Sequence, residues 1–399
     1  MSYKTPLAIA VATVALSSTA VAAPSVNFYG FVDIGLETYS SSLNSPQDQA
    51  PHVFAGGGSD DPANAANGNS DDREFALTNG VQSRLGVKGE EDLGDGWTGS
   101  YRVEARINVL DDGGQFARTR LGWFGLSNGE HSIKVGAQWS PFFEYSAWNT
   151  HRGEVKGMGT YFYITEVMPG SVGYGYRNDS TINYTFGGGG FSNSPFTATV
   201  ALHIAEDGRE TTVGAKPVTA GGNPVLVNGE PLTQGGSKQL LNDSGITAVT
   251  VGGAATFGSL TLNAVGIKSL VKESRAAKDA NIDVAAPMIY SLGGKFQATE
   301  QLELGLAYRV ADRDTGDDDG KTSTTVAAAY KASEKLTVNL GYGVGEDDNK
   351  ANLQLDGNIF GSAYYQLSGN RLAGFEFEEA DYGDDGKVQA FMVSLRQSF

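Results

Sequence analysis

The last thirteen residues, Lys387 to Phe399, constrain the fold more than any other stretch of the chain. Counting back by twos from Phe399 gives Gln397, Leu395, Val393, Phe391 and Gln389, a mostly apolar face that ends on an aromatic. The other face carries Ser398, Arg396, Ser394, Met392, Ala390 and Val388. A period of two over this length predicts one long β-strand with an oily and a mixed side. Soluble folds have no need of a terminal aromatic. A chain that stops on such a strand suits a closed barrel in a membrane.

The amino end indicates the compartment. Met1 to Lys4 is short and cationic, Pro6 to Ser17 is rich in Ala, Val, Leu and Ile, and Ala20-Val21-Ala22 fits the small-x-small cleavage rule. Residues 1–22 therefore read as a cleaved export signal; cutting after Ala23 would leave Pro24 leading the chain. The apolar run falls short of the roughly 18 residues that a spanning helix needs. Removing 22 of 399 residues leaves 377, residues 23–399, read as a single barrel domain. Lys4 is the one charge lost, so the net charge moves from −17 to −18.

Composition excludes several classes. A mean hydropathy of −0.25 does not argue against a membrane barrel, because alternation hides its apolar face. Cysteine is absent, which removes disulfides and thiolate metal sites. His52, His131, His151 and His203 show no ligand spacing, so neither a metal nor a cofactor is expected. The acidic balance argues against nucleic acid as a partner. Glycine, 54 of 399, is about twice the usual ~7% and points to tight turns and crowded strands.

Alternating runs recur from Val26 onward, and the clearest is Leu302, Leu304, Leu306, Tyr308 and Val310. Two stretches, Gly245–Phe257 and Ser259–Leu270, alternate poorly because Gly and Ala are dense there. The runs predict an all-β, antiparallel up-and-down transmembrane barrel of 16 strands. That number would become 18 if Pro217–Val227 inserted as a hairpin, although its prolines oppose central strands. Short connections such as Glu90–Gly96, Gly258–Ser259 and Ser368–Asn370 alternate with long ones such as Ser40–Asn79, Pro141–Ser171 and Glu206–Ser244. Short turns at one end and long loops at the other are the pattern of outer-membrane barrels. Phe28, Trp97, Phe186, Phe196, Phe257, Phe296, Tyr330 and Phe399 fall on the oily face beside the short turns, as an interfacial aromatic girdle would. A soluble sandwich also alternates, but has no reason to gather its rings at one end of its strands. Phe28 and Phe399 are expected to be neighbours across the closing seam.

At this point the chain resembles the Gram-negative general porins. The resemblance is carried by Val26-Asn27-Phe28-Tyr29-Gly30-Phe31-Val32-Asp33-Ile34-Gly35-Leu36-Glu37 and by the stretch Ser83-Arg84-Leu85-Gly86-Val87-Lys88-Gly89-Glu90-Glu91-Asp92-Leu93-Gly94-Asp95-Gly96-Trp97. Leu121-Gly122-Trp123-Phe124-Gly125-Leu126-Ser127, Arg177-Asn178-Asp179-Ser180 and the ending Leu395-Arg396-Gln397-Ser398-Phe399 extend it in the family's order. The resemblance implies passive diffusion of ions and small hydrophilic solutes through a water-filled pore. It also implies a homotrimer set in outer-membrane lipid and lipopolysaccharide, and a third long loop folded inward as a constriction. That loop is 140–171, with Glu144, Glu154 and Glu166 as its carboxylates; it departs from the family's acidic tip at Met168-Pro169-Gly170 and adds His151, Arg152 and Lys156. Gln397 stands where the family often has His.

Read from the residues alone, strands two to four have a basic inner face. If Leu85, Val103 and Leu121 face lipid, then Arg84, Lys88, Arg102, Arg106, Arg118 and Arg120 face the lumen, and Glu104 shares that wall. Turning an Arg to lipid at mid-bilayer would cost about 2–4 kcal/mol. Basic residues facing loop carboxylates across a gap would sort permeants by charge and dipole; alternatively the arginines tie down the loop. The acidic runs Asp60-Asp61, Asp71-Asp72, Asp111-Asp112, Asp317-Asp318-Asp319, Glu346-Asp347-Asp348 and Asp384-Asp385 form an acidic mouth without the ordered spacing of a calcium loop. Three other functions compete. A substrate-specific channel would need inward aromatics, for which register offers Tyr29, Phe31 and Phe124. An adhesin would use the long loops, and a barrel enzyme would have only His151 with Glu144 or Glu154.

Overall fold

Sixteen antiparallel staves close on themselves in the computed structural model. It describes residues 25–42, 73–79, 83–110, 116–151, 153–154, 156–165, 176–187, 195–205, 245–270, 287–312, 320–348 and 354–399, with short paired backbone segments between 210 and 240. The staves are β1 (Asn27–Ser41), β2 (Arg73–Thr78 continued by Arg84–Gly94), β3 (Trp97–Ile107), β4 (Phe116–Ser127), β5 (His131–Trp139), β6 (Arg177–Phe186), β7 (Phe196–Ala205) and β8 (Gly245–Phe257). They continue with β9 (Leu260–Ser269), β10 (Met288–Gln297), β11 (Leu302–Asp312), β12 (Gly320–Lys331), β13 (Leu336–Asp347), β14 (Leu355–Ser368), β15 (Arg371–Asp381) and β16 (Lys387–Ser398). Each pairs with its neighbours in sequence, and β1 pairs with both β2 and β16. The segments between 210 and 240 pair only with one another, so they add no stave.

The side chains are arranged inside out relative to a soluble sandwich. Leu292, Leu304, Leu306, Leu340, Val393 and Leu395 are exposed on the outer surface, while Ser291, Ala307, Asn339 and Ser394 on the same strands are buried within. Closure pairs the backbone donors and acceptors around the ring, which is what lets strands cross hydrocarbon. The break in β2 is repaired by side chains. Ser83 Oγ accepts from Asp33 N–H at 2.9 Å and donates to Asn79 Oδ1 at 2.7 Å.

Two of the irregularities in the ladders re-aim residues relative to simple alternation, and the seam partners Phe399 differently from expectation. In β4 the pairing steps from Glu104↔Leu121 to Ala105↔Thr119, which leaves Arg120 as an extra residue. Beyond that bulge the phase inverts, so Leu121 is buried inside, Trp123 pairs with inward Arg102, and Phe124 is 75% exposed on the outer face. The expectation that Leu121 faces lipid and Phe124 the lumen is therefore reversed. In β5 the ladder slips between Gly136 and Gln138, and Trp139 turns to stack on Phe143 at 5.1 Å. At the seam Phe399 is opposite Gly30, not Phe28: their backbones exchange bonds of 3.1 and 3.2 Å. A Cβ on Gly30 would lie 2.8 Å from the Phe399 ring, so the missing side chain makes the ring's seat.

Candidate functional site

Segment 140–165 leaves β5 and folds back along the inner wall. Ser140 caps the first helix, accepting from Phe142 N–H at 3.2 Å, and Pro141 presets its first turn. This helix, α1 (Pro141–Ser146), a 3₁₀ turn at Ala147–Asn149 and α2 (Gly159–Thr165) bury Phe142, Phe143, Tyr145, Tyr161, Tyr163 and Ile164. They pack on β8 to β14, whose inner faces are small or hydroxylated. Tyr145 shares a hydrogen bond with Thr197 (3.1 Å), Ser146 donates to Ser291 (2.9 Å), and Asn149 and Asn263 exchange amide bonds of 2.9 and 2.7 Å. Close approach explains part of the glycine excess. A Cβ on Gly293 would come within 2.6 Å of Asn149 Nδ2, and one on Gly345 within 2.6 Å of the Tyr163 ring.

Arg309 of β11 joins the segment to the wall while fully buried. Its guanidinium donates to Ser146 Oγ (2.8 Å), Ser146 O (3.3 Å), Thr150 Oγ1 (3.2 Å) and Thr325 Oγ1 (3.0 Å), all neutral acceptors. On β15, Glu378 accepts from the backbone N–H groups of Gly157 (2.8 Å) and Gly159 (3.0 Å), and Glu376 from those of Glu154 (3.0 Å) and Lys156 (2.7 Å). Lys156 then reaches Glu37 of β1 at 2.5 Å. Glu154 points into the lumen, exposing 41% of its side chain, and accepts from Arg396 at 3.1 Å; Arg396 in turn holds Asp33 at 2.8 Å. Its enclosed position raises the Glu154 carboxyl. The charges of Arg396, Arg84 and His151 outweigh that effect and hold it below the usual range.

The wall from β1 to β6 makes far less contact with α1, the 3₁₀ turn and α2, which touch it where Trp139 stacks on Phe143 and Tyr39 packs on the buried loop cluster. Here Glu104 is buried at the centre of three arginines: Arg102 at 2.8 Å, Arg120 at 2.8 Å and Arg84 at 3.8 Å. Tyr29 donates to the same carboxylate at 2.9 Å and accepts from Arg102 at 2.6 Å. The Phe31 ring lies between two guanidiniums, Arg84 at 4.4 Å and Arg396 at 4.3 Å. Lys134 sits 4.9 Å over Trp123, and Arg177 lies 5.4 Å from Trp139 and 4.8 Å from Tyr176.

The structure thus brings together Arg84, Arg102, Glu104, Arg120 and Glu154. Arg106 points inward on β3 and is buried. Glu144 is half-buried on α1 and stands apart from the arginine cluster; burial pushes its carboxyl up to about 7 against the opposing charge of Lys134. The side chain of Arg118, and the whole of Glu166, lie outside the described residues. The eight expected girdle residues are exposed on the outer surface at the short-turn ends of their strands. Sequence reasoning alone does not single out Arg396 and Asp33. Alternation already put Arg396 on the inner face of the last strand, but their pairing depends on the seam register. Arg309, Glu376 and Glu378 were missed because their partners are backbone groups or hydroxyls, which leave no charge pattern.

A family model described as Gram-negative porin matches residues 8–352. An anion-selective porin from Comamonas acidovorans is similar in structure, with a TM-score of 0.63 at 17% identity over 94% of this chain and 100% of that one. OmpF of Salmonella typhi, solved with daunomycin, gives 0.59 at 14% identity over 94% and 97%. A loop-deletion mutant of OmpT, an outer membrane protein of Vibrio cholerae, gives 0.59 at 15% over 94% and 100%. No curated protein sequence matches the chain.

Proposed function

This chain belongs to the Gram-negative porin family and forms an outer-membrane channel for passive diffusion, and we propose that its permeants pass between segment 140–165 and the bare wall of β1 to β6. The observation that carries this reading is the ion pair of Glu154 with Arg396, which faces the Arg84–Arg102–Arg120 cluster from the lumen side. Segment 140–165 acts as the constriction, with loop carboxylate and wall arginines setting a field across the gap. Glu104 offsets part of the basic charge, so the wall both sorts ions and anchors its own arginines. Glu154 serves that field rather than a catalytic base: its carboxylate is held by Arg396, and we read the chain as a channel and not an enzyme.

Residues 1–22 act as a cleaved export signal, and residues 23–399 as one barrel domain. The exposed rings from Phe28 to Phe399 form a girdle at the periplasmic lipid interface, in contact with outer-membrane lipid, with lipopolysaccharide on the opposite leaflet. A homotrimer is the assembly we propose; one similar structure is a trimer form of OmpT from Vibrio cholerae. Planar-bilayer recording in a salt gradient tests these points together. Closures in three equal steps support the trimer. Replacing Arg102 and Arg120 by Ser moves the reversal potential toward cations, and an unchanged potential would remove the wall from the permeation path.

A further inference from the structure

Resting on the channel reading above, we propose that the bare lumen wall is a track of ring-and-cation pairs that favours planar aromatic carboxylates over aliphatic anions of equal charge. Three inward rings of the wall bear cations, Phe31, Tyr29 and Trp123, and a further aromatic cluster at the loop base carries Arg177. At the loop base Arg177 lies on Trp139 and Tyr176, and Trp148 stands 6.3 Å from Trp139. The next group is on β1 and β2. There Phe31 sits between Arg84 and Arg396, and Arg396 also holds Glu154. Toward the short-turn end, Arg102 lies 4.9 Å from the Tyr29 ring and Lys134 is 4.9 Å over Trp123.

Phe31, Tyr29 and Trp123 are half-buried and lie outside the cluster under the loop, whereas Trp139, Trp148 and Tyr176 pack against it. A benzoate-like anion can place its carboxylate on a guanidinium and its ring beside the wall ring, using both elements at once. An aliphatic carboxylate of equal charge uses only the first. The pairs are spread along this wall: the rings are on β1, β4 and β5 and their cations on β2, β3, β5, β6 and β16, so a permeant following it meets more than one pair. Cations also sit beside rings under the loop, Arg309 by Tyr161 and Lys321 by Tyr163, but those groups are buried and offer no open face.

The test is carried out on full-length protein in liposomes and bilayers. Potassium chloride conductance is recorded first, then uptake of benzoate against cyclohexanecarboxylate, which matches it in charge and approximate size. The track predicts at least three-fold faster benzoate flux, falling to parity in the Phe31→Leu, Trp123→Leu double variant. Equal fluxes through an open wild-type channel overturn the inference and leave the channel reading intact. Absence of chloride conductance overturns the channel reading and the inference with it.

Discussion

The two halves of the lumen wall are built from different chemistry. Under segment 140–165 the wall presents Thr197, Asn263, Ser291, Ser323 and Thr325, short neutral groups that hydrogen-bond the loop. On the bare side it presents long cations laid on aromatic rings and gathered around Glu104. The division follows solvent. Where the loop excludes water, an unpaired charge would carry a large desolvation penalty and small polar groups satisfy one another. Where water remains, the partly exposed Arg102 and Lys134 are available to a passing ion, while Arg84 and Arg120 are drawn in around Glu104. Two buried cations depart from this rule: Lys321 pairs with Asp347, while Arg309 is held by hydroxyls and a carbonyl.

The comparison can be broken most severely at Glu104. Glu104→Gln leaves Arg84, Arg102 and Arg120 without their shared carboxylate; breaking a buried ionic network of this kind costs about 3–5 kcal/mol. The variant should unfold at clearly lower denaturant and shift the reversal potential strongly toward anions, both read on purified protein. Arg309→Met tests the covered half. It removes four hydrogen bonds from a charged donor to the loop and wall, together with the charge that needed them. Loop-to-wall contacts should loosen, seen as noisier open-channel current and faster proteolysis within 140–165, while the barrel's resistance to denaturant changes less than in Glu104→Gln.

A smaller effect sharpens the boundary between the halves. The native Glu144 carboxyl titrates at about 7 instead of its ordinary 4.5. The folded chain therefore binds the extra proton across that window, so its stability falls as pH rises from about 4.5 to about 7 and is level above it. As pH drops through 7 the lumen loses one negative charge, and the cation-to-anion permeability ratio should decrease. Glu144→Gln should abolish that step. Glu154, held low by Arg396, should stay charged throughout the range.

Much of the fold was legible because alternation, turn length and the terminal strand agree, and all three are local. Sixteen staves, the short-turn rim and the inward arginines Arg84, Arg102 and Arg120 follow from them. Bulges defeat such a reading. One extra residue at Arg120 sent Leu121 and Trp123 inward and Phe124 outward, while Arg120 itself kept its expected side. The Gly- and Ala-rich strands, which alternated poorly, make sense only once the loop is seen lying on them. The meeting of Arg396 with Asp33 and Glu154 joins the two ends of the barrel to its loop, a relation that spans the whole chain.

The central claim is that permeants use the bare half of the wall, and the chain's lack of cysteine makes it directly measurable. Single cysteines replace Lys134 on the bare wall and Ser323 on the covered wall, each is treated with a bulky thiol reagent, and labelling is quantified by mass. Single-channel current should fall in a step when the thiol at position 134 is labelled and stay constant for the variant at position 323. Complete labelling at position 134 with an unchanged current would contradict the account.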